Sequence, residues 1–423
     1  MNARTPVTMS PGEGAMVAFE DRAAVPATIA AVAALDGPCP DAAEVRERVA
    51  ERWGGLSALH RRVALRGDGR PRRPYAWNAP RVDAAEVGAR LRVAEAADED
   101  AVRGHVARAL AEPLPAGGPL WGLDLLRGEA GGGFHLVLRA HHALVDGASV
   151  GVLLRALCDE PAIAPPAPAA PPLPHGALAR AGAVLGSLRA AFPPGRAREF
   201  NDGVDAGRAV AWLSVEAAVL DAARDALPGG RATVNDVFLA AVAGALRRVR
   251  GAAGDPRVMV PVNLRGPDEA EEFGCLIGGA RVGLPVSLPG PVDRLRAVHG
   301  AMARSKRQHR PGGLSRLMDA LAVPAPGAAG ALVARLLGSP RMWNLLCSSV
   351  RLSDERMFLL GRPVRSAFAA SCLPPRMGFV CVLVRYHDTY TLTLTGDAAR
   401  EPWLAPLGEA TRAEIITLAD DFR

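Results

Sequence analysis

FHLVLRAHHALVDGASVGVLLRALC, residues 134–158, runs from an alternating apolar segment into two adjacent histidines, an Asp-Gly pair and an apolar helical pattern. In an extended strand Phe134, Leu136, Leu138 and Ala140 share one face, while His135, Val137 and Arg139 share the other. Continued alternation puts His142 on the Phe134 face. The chain then loops through Ala143, Leu144 and Val145 and turns at Asp146-Gly147, where glycine admits backbone angles closed to other residues. ASVGVLLRALC reads as the following helix, with Ser149 placed to help cap it. A strand, a loop and a helix in that order can aim one imidazole into a cavity and hold it there.

Such an imidazole suits removal of a proton from an alcohol or amine as that group attacks a carbonyl, because an ordinary histidine pKa leaves it mostly neutral near pH 7. No serine or cysteine nucleophile is then required. Asp146 reads as a charge partner that fixes the loop, with an arginine elsewhere as its counter-ion. The residues alone leave two other readings open. His141, His142 and Asp146 could be part of a metal site completed elsewhere, or the loop could be purely structural.

Outward from this element, 423 residues suffice for two or three domains with a sizeable core. Basic residues exceed acidic ones, 50 against 44, yet Lys306 is the single lysine, so the excess is arginine. Aromatic residues are only 4%, and no basic run interleaved with aromatics occurs, which argues against nucleic acid as a partner. The six cysteines, Cys39, Cys158, Cys275, Cys347, Cys372 and Cys381, form no CxxC pair and no disulfide framework. A reduced, cytoplasmic setting is expected. No uninterrupted apolar segment reaches the roughly 18 residues that span a bilayer, so any membrane contact is expected to be peripheral.

ATIAAVAALDG, residues 27–37, reads as a strand and turn, and PDAAEVRERVAERW, residues 40–53, as a helix with an acidic first turn. Residues 83–112 carry further helical pattern. The sharpest change of composition follows: seven of the fifteen residues from Pro161 to His175 are proline, which excludes helix or interior strand and marks a crossover. The expected division is therefore a first lobe over 1–159, a linker over 160–205 and a second lobe over 206–423. In the second lobe TVNDVFLAAVAGALRRVR and PVDRLRAVHGAMARSKR read as helices and RVMVPVNLR as a strand. GFVCVLVRY and TYTLTLTGD read as a hairpin turning at His387-Asp388. Two α/β lobes, each with helices against a sheet, is the expected architecture.

HHALVDGAS resembles the HHxxxDG motif of the CoA-dependent acyltransferase superfamily, which includes chloramphenicol acetyltransferase and the condensation domains of peptide synthetases. Companion segments are similar to one branch, the bacterial wax ester synthase/diacylglycerol acyltransferase family. GGPLWGLDLL (117–126) resembles its PLW segment, TVNDVFLAAVAGALRR (233–248) its Asn-Asp helix and VMVPVNLRGPDE (258–269) its VPVSLR segment. MSPGEGAMVAFED (9–21) resembles the opening SPxDAxF motif, with one extra residue. The similarity runs over nearly the whole chain.

The resemblance implies two chloramphenicol-acetyltransferase-like α/β sandwich lobes meeting at a central tunnel, with acyl-CoA entering from one side and a hydroxyl acceptor from the other. The family's general base falls on His142, while His141, Asp146 and Gly147 hold the loop. Arg62, in a segment resembling LxxRF, is the candidate partner of Asp146, with Arg61 second. Asn235 matches a residue for which an oxyanion role is proposed, although Thr233, Asn235 and Asp236 also suit a helix start. Pro119, Leu120, Trp121 and Ser149 are assigned to the tunnel wall.

The family chemistry uses acyl-CoA as co-substrate, with no metal and no other cofactor. It transfers a fatty acyl group to an alcohol or diacylglycerol. Two segments depart from the family: CSSVRLSD (347–354) stands where SNVPGP is common, and CLPPRMGF (372–379) where PLPPGQGL is common. They leave open a specialised-metabolite alcohol or amine as acceptor, with acyl-CoA or a carrier protein as donor. Peripheral contact with a membrane or lipid droplet and a non-catalytic, condensation-like scaffold are left open as well.

Overall fold

The alternation read along FHLVLRAH is an interior strand of a six-stranded sheet, which fixes the rest of the first lobe around it. The computed structural model describes residues 7–23, 25–64, 75–78, 83–115, 117–128, 132–159, 201, 204–251, 254–263, 274–275, 277–308, 339–340 and 342–420. The first half comprises β1 (Val7–Thr8), α1 (Pro11–Ala23), β2 (Thr28–Leu35), α2 (Ala42–Trp53), β3 (Arg62–Val63) and β4 (Ala76–Asn78). It continues with α3 (Ala84–Gly88), β5 (Leu91–Glu95), α4 (Glu99–Ala111), β6 (Trp121–Arg127), β7 (Phe134–His141) and α5 (Gly147–Leu157). The second half holds β8 (Arg208–Glu216), α6 (Ala217–Asp225), α7 (Val234–Arg250), β9 (Arg257–Asn263), β10 (Ile277–Gly283) and α8 (Pro291–Gln308). Then come β11 (Leu345–Ser353), β12 (Phe358–Leu359), β13 (Arg362–Ala370), β14 (Phe379–Tyr386), β15 (Thr389–Asp397) and α9 (Glu401–Asp420).

Local signals explain where these elements start. Asp98 opens α4 by accepting the Ala101 N–H at 2.8 Å. Thr233 and Asp236 open α7 with a reciprocal capping box, in which each side chain accepts the other residue's backbone N–H. The helical pattern read over 83–112 is interrupted: α3 and α4 flank β5, an edge strand that runs parallel to β6. Its two-faced pattern is weak because only Leu91 of its five residues is buried.

The first sheet has the order β12-β13-β2-β7-β6-β5 and the second β10-β9-β11-β14-β15-β8. The expected boundary at 206 therefore does not divide the sheets. β13, from the second half, completes the first sheet by pairing antiparallel with β2, from Val364 against Leu35 to Ala370 against Ala30. Of the expected linker, only Asn201, Val204 and Asp205 are described.

Between the sheets lies one apolar core that takes residues from α1, α2 and α5 and from strands of both halves, among them Trp53, Trp121, Leu138, Met259, Trp343 and Val382. A second core packs α6, α7, α8 and α9 behind the second sheet. A third packs α4 against the outer face of the first. Burying an apolar face on each side of a sheet gives each lobe the layered stability that a lone sheet lacks.

Candidate active site

β7 ends at His141 because the chain leaves the ladder there, and backbone bonds anchor the departure on both sides. The N–H of His141 donates to Leu120 O at 2.9 Å and that of His142 to Ala27 O at 2.7 Å. Asp146 closes the loop as the N-cap of α5, its Oδ1 accepting the Ser149 N–H at 3.0 Å. A carboxylate in this position satisfies an otherwise orphaned helical N–H and complements the positive end of the helix. Both His141 and Asp146 are buried.

The two histidines are held differently. His141 Nδ1 accepts the Ala143 N–H at 3.0 Å, and Nε2 faces Glu20 Oε2 at 2.9 Å. This pattern assigns the proton to Nε2, donated to the carboxylate, so His141 is a brace between β7 and α1. Cys275 Sγ lies 3.9 Å from His142 Nδ1. Burial pushes the His142 pKa below the ordinary histidine value; the bond to its own backbone and the charge of Asp146 oppose this, and His141 adds to it. The ring is thus neutral and basic at neutral pH.

His142 lines a cavity of ≈ 370 Å³ at the seam of the two sheets. That volume falls in the range of small-molecule sites, ~300–1,000 Å³. Met16 and Phe19 of α1, Ile29 of β2 and Val150 of α5 form an apolar wall, and β9, β11 and β14 supply the facing side. Ser348, Ser349 and Arg351, in the segment that departs from SNVPGP, lie on that facing side, and Cys372 of CLPPRMGF, just after β13, also lines the cavity. Among the described residues, no group of three or more His, Cys, Asp or Glu could hold a metal ion.

Several sequence assignments change. Arg62 is not the partner of Asp146: its Nη2 pairs with Glu86 Oε1 at 2.5 Å, because β3 places it beside α3. Asn235 does not line the cavity. It sits in the first turn of α7, whose capping is supplied by Thr233 and Asp236, and its buried Oδ1 has no hydrogen-bond partner. Pro119, Leu120 and Trp121 are core rather than cavity wall. The Trp121 indole donates to Leu59 O at 2.8 Å and meets Trp53 edge-on at 5.5 Å. Leu120 nevertheless bears on the site through its carbonyl, which holds the His141 N–H.

Ser149 is buried on α5 and also lies off the cavity; its Oγ donates to Gly274 O at 3.4 Å across the seam. Gly147 is crowded rather than left-handed in its backbone: a Cβ there would come 3.1 Å from Val350 Cγ2, and that side chain would have to give way. Glu20 and Cys275 escaped the sequence reading. Glu20 follows Met16 by one helical turn on an apolar helix, a signal that was legible. Nothing in the sequence places Cys275 next to His142.

A two-lobed α/β fold with an HHxxxDG loop at its seam is the architecture of an acyltransferase. Comparison with known families is specific. The wax ester synthase/diacylglycerol acyltransferase catalytic domain matches residues 14–255 and the C-terminal domain of the same family matches 273–418. The chain belongs to the wax ester synthase/diacylglycerol acyltransferase family.

A Mycobacterium tuberculosis (strain ATCC 25618 / H37Rv) protein assigned by name to the diacylglycerol O-acyltransferases is 33% identical over 349 residues, 71% of this chain and 68% of the relative. Another from that strain, tgs2, is 29% identical over 330 residues, 68% of this chain and 71% of the relative. The fold is shared with the wax ester synthase/diacylglycerol acyltransferase from Marinobacter aquaeolei VT8, at TM-score 0.70 and 19% identity, covering 98% of this chain and 100% of that one. It is shared also with the first condensation domain of the calcium-dependent antibiotic synthetase, at TM-score 0.68 and 20% identity over 99% and 97% of the two chains.

Proposed function

We propose that the protein moves a fatty acyl group from acyl-CoA to the hydroxyl of an alcohol or diacylglycerol by direct transfer, with His142 as general base. The observation that carries this reading is the position of His142 itself: its ring, of lowered pKa and with Nδ1 3.9 Å from Cys275 Sγ, belongs to a residue that lines a cavity formed from both sheets. The ring takes the hydroxyl proton as the oxygen attacks the thioester carbon. When the tetrahedral intermediate collapses, the carbon–sulfur bond breaks and the CoA sulfur receives the proton back from the ring. Charge on the ring is thus transient, and the nearby Asp146 carboxylate favours it. No bound cofactor takes part in this scheme.

The test is purified protein with palmitoyl-CoA and either hexadecanol or diacylglycerol, with products identified by mass spectrometry. Ester should form, and His142→Ala should lower kcat/KM by ~10²–10⁴-fold, the usual worth of a general base. Absence of ester with any acyl-CoA would sink the proposal, and turnover from a carrier-protein thioester alone would move the donor. Among the described residues no helix is long and apolar enough to cross a membrane. A diacylglycerol acceptor resides in a lipid surface, so this reading carries the expectation of peripheral contact, measurable by co-sedimentation with vesicles.

A further inference from the structure

One neighbour of the proposed base comes from the second half of the chain. Gly274 and Cys275 lie between β9 and β10 in sequence, yet they are held against the first half. Gly274 O accepts the Ser149 Oγ–H from the first turn of α5 at 3.4 Å. A Cβ on Gly274 would come 3.7 Å from Glu13 Oε1, and one on Gly12 would come 3.5 Å from Cys275 O. The pair is thus wedged between the N-terminal ends of α1 and α5.

Gly274 makes this entry possible. Its φ of 137° lies in a region that side chains rarely adopt, so the chain can turn there and deliver the next side chain toward the end of β7. The thiol that arrives is buried, and its Sγ lies 3.9 Å from His142 Nδ1. His142 lines the cavity, whereas Cys275 is not part of its wall.

A neutral imidazole has two tautomers, and the one it adopts is set by what each ring nitrogen meets. To take a proton from a hydroxyl, the ring must turn a bare nitrogen to the substrate. A sulfur beside the other nitrogen favours that arrangement, because it accepts a hydrogen bond, weakly and at longer range than oxygen. Burial strengthens such a bond, since water does not compete for either partner.

We propose that Cys275 is a positioning residue for His142: its sulfur accepts the Nδ1–H, which leaves Nε2 bare and turned to the substrate. The assignment rests on His142 as the base and names what sets its tautomer. It also means that a base carried by the first half of the chain is oriented by the second.

Two substitutions separate hydrogen bonding from packing. Cys275→Ala and Cys275→Ser leave side chains of nearly equal size, but only serine can accept a hydrogen bond. With palmitoyl-CoA and diacylglycerol in neutral detergent micelles, Cys275→Ala should lower kcat about three- to tenfold, the worth of one ordinary hydrogen bond, and leave KM for both substrates unchanged. Cys275→Ser should hold kcat within about twofold of the wild type. Equal kcat in all three proteins, an equal loss in both variants, or a loss confined to KM overturns the assignment.

Nitrogen NMR of the protein carrying isotope-labelled histidine reads the tautomer directly and needs no turnover. The His142 signals, identified by their loss in His142→Ala, should show Nδ1 protonated in the wild type and a mixture of tautomers in Cys275→Ala. That result supports the assignment even if ester formation fails. A proton on Nε2 in the wild type, or identical spectra in the two proteins, overturns it whatever the fate of acyl transfer.

Discussion

The proposed chemistry concentrates on one side chain, the His142 ring, and its surroundings make a directional statement about pH. Burial holds the ring's pKa below the ordinary 6.5. Below its own pKa the ring is protonated and has no lone pair, so activity falls there; because that pKa is lowered, the acid limb of kcat/KM against pH should lie below 6.5. A limb at or above that value would show a ring that is solvated in the free enzyme. Its neighbour His141 calls for a different experiment. Glu20→Gln keeps an oxygen opposite Nε2–H and should be tolerated, whereas Glu20→Ala leaves a buried donor without a partner and should cost ~1–3 kcal/mol in urea denaturation. Equal stability of the two variants would remove His141 from the role of brace.

At the level of elements, α5 is the part that carries the loop into the seam, and its packing is tight. Gly147 meets Val350 and Gly151 meets Leu352 on β11, at 3.1 and 3.3 Å from an added Cβ. Gly147→Ala should therefore destabilise the protein and lower activity, and Val350→Ala in the same chain should recover part of both, a coupling measurable in a double-mutant cycle. Strand, loop and helix around His142 were legible because period-two and helical apolar patterns meet at a turn residue. The hairpin β14–β15 was legible for the same reason. The positions that failed are those whose partners come from far along the chain. Arg62 meets Glu86, Cys275 meets His142, and Leu120 acts through a carbonyl whose side chain says nothing about it. β5 escaped because too little of it is buried to leave a pattern, and the exchange of β13 because pairing partners are not encoded in a strand's own alternation.

For the molecule as a whole, the exchanged strand joins the lobes more firmly than a linker could. β2 is paired on one side by β7 and on the other by β13, along residues that are almost all alanine, valine, isoleucine or leucine. A fragment ending at residue 205 should expose that second side as an unprotected apolar edge and aggregate, and co-expression with residues 206–423 should restore solubility. A soluble, monomeric fragment by gel filtration would contradict this. Because β13 is made late, the first sheet also has a fixed order of completion in time. While a ribosome is still adding the second half, the early strands must wait with one side open, so the nascent chain offers a standing target for chaperones until Ala370 has emerged.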